Sequence, residues 1–158
     1  MKKNILTIVL LVAIDQLIKY IVLSTMGTTG NTVEILNILT ISYVENTGAA
    51  FGIFNNNIIL IGLDIMIIVV ILKLLLSKKY EFTNLARTGY SLILAGGIGN
   101  LIDRIFRGYV IDYIDISKII EYPVFNLADM CIVIGVIIVI AVILINTIKS
   151  QENANERV

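Results

Sequence analysis

The sequence predicts an all-α membrane bundle of four transmembrane helices, with a small extracytoplasmic β-sheet and an interfacial segment between helices three and four. Three observations carry this. The 158-residue chain is 58% apolar and only 15% charged, with a mean hydropathy of +0.93, too apolar for a water-soluble domain. It holds four apolar runs near the roughly 20 residues that a helix needs to cross about 30 Å of hydrocarbon. Lys and Arg are distributed unevenly around those runs, as the positive-inside rule requires. The whole chain, 1–158, reads as one polytopic domain.

The first run, Ile5–Leu23, follows Lys2 and Lys3 as a cleaved leader would. Asp15 and Lys19 interrupt its apolar core, however, and no small-x-small cleavage site follows, so it is expected to be a retained span. The next segment, Ser24 to Asn57, has no Lys or Arg. Within it residues 32–52 carry β-formers at Thr40, Ile41, Ser42, Tyr43 and Val44 and a turn at Asn46-Thr47-Gly48, predicting short outer strands. The second run is Ile58–Leu76. Lys78, Lys79 and Arg87 separate it from the third, Gly89–Phe106. Residues 107–127 alternate at Val110, Asp112, Ile114 and Ile116 and contain the one proline, Pro123, which predicts an amphipathic segment along the interface. The fourth run is Ala128–Ile148, followed by Lys149 and Arg157. Both termini are therefore expected on the cytoplasmic side, with the loops after spans one and three facing outward.

Composition also excludes chemistry. The chain has no histidine, one cysteine (Cys131) and zero net charge. That removes His-assisted nucleophiles, His-based metal sites, a disulfide framework and a nucleic-acid footprint. What remains is carboxylate chemistry. Asp15, Lys19, Asp64, Asp103, Arg104, Asp112 and Asp129 all lie in or beside apolar runs, where each costs roughly 2.5–3.5 kcal/mol at a helix centre. Charges at that cost pair inside the bundle and mark function.

Asn100, Asp103 and Arg104 share a helix face, and Ala95 and Gly99 make a small-xxx-small seam. This is either a packing seam ending in a snorkelling arginine or part of a site. Asp129, three residues after Asn126, is either a capping-box residue or a reacting carboxylate. Asp112 is either a loop aspartate or its partner. The two can meet, because the segment between them leaves the third span and re-enters the fourth on one side. Asp15 and Lys19 form an i, i+4 pair in the favourable order. Asp64 has no evident place.

Taken together these residues resemble the lipoprotein signal peptidases, or signal peptidase II. Asp15-Gln-x-x-Lys19, Asn46-Thr-Gly-Ala-Ala-Phe-Gly52, Gly99-Asn-Leu-Ile-Asp-Arg104, Val110-Ile-Asp112-Tyr-Ile and Phe125-Asn-Leu-Ala-Asp129 match the family's motifs in order across most of the chain. The resemblance implies an intramembrane aspartyl endopeptidase of the bacterial cytoplasmic membrane, active near the outer face. It would cut diacylglyceryl-modified prolipoproteins just before the lipidated cysteine. Asp112 and Asp129 would be the catalytic pair, with Asn46, Gly48, Asn100, Arg104, Asn126, Ala128, Asp15 and Lys19 supporting or lining the site. No metal or cofactor is implied; the expected partners are precursor and membrane lipid, with the chain a monomer. Tyr113 departs from a common phenylalanine, and Asp64 belongs to no family motif.

Three other readings compete. A proton-coupled transporter could use Asp15, Lys19, Asp64 and Arg104 as a relay, but the inner halves of spans three and four lack polar residues to continue it. A structural subunit leaves Asp112 and Asp129 unexplained. A metal hydrolase built on Asp103, Asp112, Asp115 and Asp129 has no recognisable ligand spacing.

Overall fold

A computed structural model describes residues 2–27, 32–35, 38–48, 56–77 and 82–155. Four helices and three strands follow in the order α1 (Lys2–Met26), β1 (Val33–Ile35), β2 (Leu39–Asn46), α2 (Asn57–Leu76), α3 (Asn84–Phe106), β3 (Val110–Asp115) and α4 (Leu127–Asn155). Each of the four apolar runs lies within a helix. Among the described residues three helices are long and apolar enough to cross a membrane: Lys3–Met26, Asn57–Leu76 and Leu127–Asn153. Their outward faces carry Leu6, Val9, Met66, Ile137 and Leu144, each roughly half exposed or more, as lipid-facing side chains must be.

The third helix differs for a physical reason. It is packed against α1, α2 and α4, so it needs small residues rather than a lipid-facing coat. Its buried face runs Ala86, Gly89, Ser91, Leu94, Ala95, Gly96, Gly97, Gly99, Asn100 and Asp103. A Cβ at Gly96 would lie 2.2 Å from the Ala128 carbonyl oxygen, and one at Gly99 would lie 2.7 Å from Asp15 Oδ2. Gly96 lets α3 touch the backbone of α4, and Gly99 makes room for the Asp15 carboxylate of α1. Ala128, 1% exposed, is the matching small residue on α4.

The strands form one antiparallel sheet in the order β1-β2-β3, with Glu34 opposite Thr40, Val44 opposite Asp112 and Asn46 opposite Val110. Within the segment 107–127, expected to be amphipathic, residues 110–115 are the third strand. The alternation read there as amphipathic is the period of a strand, and β2 supplies the partner that a reading of local pattern omits. The expected strands at 32–52 are found at 33–35 and 39–46, and positions 49–52 fall outside the described residues. The sheet sits on one end of the bundle: Ile111 and Tyr113 pack on Val22, with Ile18, Tyr43 and Leu127 around them.

Candidate active site

The last residue of β2 begins the site. Asn46 Nδ2 donates to Asp112 Oδ2 at 2.8 Å, across the β2–β3 pairing. Asn46 Oδ1 accepts from the Gly48 amide at 3.0 Å, an Asx turn that fixes which way the side-chain amide faces. The other oxygen, Asp112 Oδ1, accepts from Asn126 Nδ2 at 2.6 Å. Asp112 is 2% exposed. Burial, and then the negative charge of Asp129, push its pKa up to about 6 against the opposing hydrogen bonds from Asn46 and Asn126.

Asp129 stands in the first turn of α4, and the start of that helix is held from three sides. The Leu127 amide donates to the Tyr113 hydroxyl at 3.2 Å, the Ala128 amide to Asp15 Oδ1 at 3.1 Å and the Asp129 amide to Asn126 Oδ1 at 2.9 Å. Orphan amides at a helix start must find acceptors; here they find them on β3, on α1 and on the cap residue. Asp129 Oδ2 accepts in return from the Asn126 amide at 3.2 Å, and Asp129 Oδ1 accepts from Asn100 Nδ2 at 2.7 Å. Asn126 thus touches both carboxylates, one through its side chain and one through its backbone.

Behind this layer lies a buried charge cluster. Lys19, fully buried, directs its ammonium at Asp15 Oδ2 (3.0 Å), Asp103 Oδ2 (2.9 Å) and Asn100 Oδ1 (3.0 Å). Gln16 Nε2 reaches Asp15, Asp103 and the Gly99 carbonyl, and Gln16 Oε1 accepts from Arg107. Arg107 also pairs with Asp103. Two acids and two bases balance, which a buried cluster requires. Asp103 Oδ2 further accepts from the Ile111 amide, tying β3 to α3.

Asn46, Gly48, Asn100, Arg104, Asp112 and Asp129 line one cavity of about 220 Å³. Asn126, Ala128, Asp15 and Lys19 stand behind it. Lys19 and Asn126 bond to Asn100 and Asp112, which line it, and Asp15 and Ala128, bonded to each other, lie further back. Sequence reasoning placed Asp103 on one face with Asn100 and Arg104, but missed its pairing with Arg107 and the part played by Gln16. Asp103 and Arg107 are four apart on one helix face, the spacing that could have found them. A second, apolar cavity of about 410 Å³ adjoins the first at Tyr122, Phe125, Asp129 and Val133. Among the described residues no three acidic or cysteine side chains gather as a metal site.

The sequence profile of a family described as signal peptidase (SPase) II matches residues 7–145. A lipoprotein signal peptidase of Clostridioides difficile (strain 630) is 40% identical over 151 residues, covering 93% of this chain and 98% of that protein. One from Staphylococcus aureus (strain JH9) is 35% identical over 151 residues, with 94% and 92% covered. A solved bacterial membrane enzyme superposes with a TM-score of 0.86 at 33% identity over 93% of this chain and 90% of its own. A second gives 0.82, also at 33% identity, with 91% and 94% covered. The class so defined is an aspartic peptidase of the bacterial membrane. The chain belongs to the signal peptidase II family.

Proposed function

We propose that this chain removes signal peptides from prolipoproteins, cutting just before a diacylglyceryl-bearing cysteine, with Asp112 and Asp129 as the reacting pair. The observation that carries the assignment is that Asn126 and Asn100 tie the two carboxylates into one hydrogen-bonded unit on one cavity. Two close carboxylates do not both ionise readily, so they share a proton over some pH range.

The environments divide the roles. Asp129 sits at a helix start, where negative charge is favoured, and accepts from a backbone amide and a side-chain amide. It is the ionised member. Asp112, more deeply buried and pushed up in pKa, is the protonated one. Asp129 takes a proton from water as the oxygen attacks the scissile carbonyl carbon, and the Asp112 proton stabilises the developing oxyanion. The carbon–nitrogen bond of the tetrahedral intermediate then breaks, and the proton held by Asp129 goes to the leaving amine. The chemistry needs no cofactor.

The Lys/Arg asymmetry supports a multi-pass arrangement with both termini cytoplasmic and the cavity near the outer face. There water reaches the pair while the acyl chains stay in lipid. The apolar cavity joined to the polar one at Asp129 suits a substrate that is peptide at one end and hydrocarbon at the other. The chain is read as a monomer contacting membrane lipid. Purified protein in detergent should cleave a diacylglyceryl-modified precursor and leave the unmodified one intact; equal cleavage of both would remove the lipid from the specificity.

A further inference from the structure

Asp64 is the one acidic residue of α2, and sequence gave it no role. It lies in an otherwise apolar helix, yet its carboxylate meets Arg104 Nη1 at 2.7 Å, with the two side chains only 19% and 11% exposed. Seven residues earlier, on the same face of α2, Asn57 Nδ2 donates to the Arg104 carbonyl at 3.1 Å. One helix therefore grips Arg104 twice, by its backbone and by its guanidinium.

The spacing of the two grips gives a direction. Seven helical residues span about 10 Å, so the guanidinium lies one to two turns further into the bundle than the carbonyl of its own residue. An arginine in the last turn of a span ordinarily snorkels towards the nearer end. Arg104 runs the other way. Its Nε is buried without a hydrogen-bond partner among the described residues, so Asp64 is the main compensation for a buried cation. Asp64 does not line the cavity; the acids that line it with Arg104 are Asp112 and Asp129. A guanidinium released from Asp64 has those two as its alternatives: paired to Asp112 it would strip the proton that the mechanism places there, and paired to Asp129 it would oppose that carboxylate's taking a proton from water.

We infer that Asn57 and Asp64 are a clamp on α2 that sets Arg104 beside the dyad, and that Asp64 is a positioning residue for the reaction. The inference rests on the catalytic reading of Asp112 and Asp129. Its consequence is that α2, which supplies no family motif, shapes the site through α3.

The test is cleavage of a diacylglyceryl-modified precursor by Asp64→Asn, Asp64→Glu, Arg104→Gln and the double variant Asp64→Asn/Arg104→Gln, with melting temperatures measured in the same detergent. Asp64→Asn should lower kcat by roughly tenfold or more with KM little changed, and Asp64→Glu should recover most of that loss. In the Arg104→Gln background Asp64→Asn should add nothing, because Asp64 acts through the arginine. Wild-type kcat in Asp64→Asn while Arg104→Gln is impaired overturns the inference, as do losses that multiply in the double variant. It also falls if the Glu and Asn variants are equally inactive and both melt well below wild type, since Asp64 would then only hold the bundle. Failure of the underlying reading is separate: it would show as full cleavage by Asp112→Asn or Asp129→Asn.

Discussion

Asn126 and Asp129 hold each other at both ends: Asn126 Oδ1 accepts the Asp129 amide at 2.9 Å, and Asp129 Oδ2 accepts the Asn126 amide at 3.2 Å. This is a reciprocal capping box with Asn and Asp in its two places. The helix-cap reading of Asp129 is met, and the same geometry suits its proposed role as a reacting carboxylate. Capping fixes the carboxylate's rotamer and leaves Oδ1 to Asn100 and the cavity. A residue that must be held within a fraction of an ångström is built into the start of a helix whose first amides are all engaged.

The first prediction concerns the pair as a unit. Asp112→Asn and Asp129→Asn keep shape and much hydrogen bonding while removing one titratable group each. Both should insert and purify, with the Asp129 variant losing at most about 0.5–2 kcal/mol as a weakened cap. Each should cleave orders of magnitude more slowly, and the double variant hardly worse than either. Single-turnover cleavage assays decide it: multiplicative losses would mean two independent roles.

The second follows from the raised pKa of Asp112. An unfolded aspartate titrates near 3.8 and the folded one near about 6. Between those values the folded protein holds a proton that the unfolded chain has released. The group's contribution to stability is therefore complete below about pH 4 and is lost as pH rises through 6, by an amount on the order of 3 kcal/mol. Asp112→Asn has no proton to lose. Its melting temperature in detergent should exceed wild type's by more at pH 7 than at pH 4; a gap independent of pH would refute the burial argument. Wild-type kcat/KM should likewise fall as pH rises past about 6, where the protonated member disappears.

Tyr113 gives the third. Its hydroxyl accepts the first amide of α4, while its ring packs in the cluster with Val22 and Ile111. Tyr113→Phe keeps the packing and removes one acceptor from a helix start. The expected result is a loss of about 1 kcal/mol with kcat within about twofold, because Asp15 and Asn126 still hold the next two amides. A large fall in kcat at unchanged melting temperature would place the hydroxyl in the chemistry instead.

The fourth concerns orientation. In a Cys131→Ala background, single cysteines at Glu121, on the sheet side, and at Gln151, late in α4, are both exposed. An impermeant thiol reagent on intact cells should label the first and spare the second. The reverse pattern would put the cavity on the cytoplasmic side.

Much of this was legible before the structure. Four helices follow from hydropathy, and the motif order and spacing single out Asp112, Asp129, Asn100 and Asn46. The failures were contacts that no local pattern encodes. Residues 110–115 look amphipathic in isolation and become a strand only because Val44, Glu45 and Asn46 lie beside them. Asp64 was unplaceable because its partner, Arg104, lies 40 positions away on another helix. Gln16 is one polar residue in a long apolar run until Gly99, Asp103 and Arg107 are seen around it.

The last prediction tests whether the buried cluster acts on the chemistry or only on the fold. Lys19 and, at a longer 3.3 Å, Asn126 Nδ2 both donate to Asn100 Oδ1, so the Asn100 amide turns its nitrogen towards Asp129; without Lys19 only the longer bond holds that orientation. Lys19→Met keeps the length of the side chain, removes the donor and leaves Asp15 and Asp103 with one cation, Arg107, between them. Breaking a buried pair this way costs about 3–5 kcal/mol, so the single variant should melt far below wild type and its inactivity would be ambiguous. Lys19→Met/Asp103→Asn restores the charge balance. It should recover much of the melting temperature, yet its kcat should stay depressed by roughly tenfold or more, because only the longer Asn126 bond then holds the Asn100 amide. A double variant as active as wild type would reduce Lys19 to a counter-ion. A stable but slow one would make Lys19 the residue that aims Asn100 at Asp129.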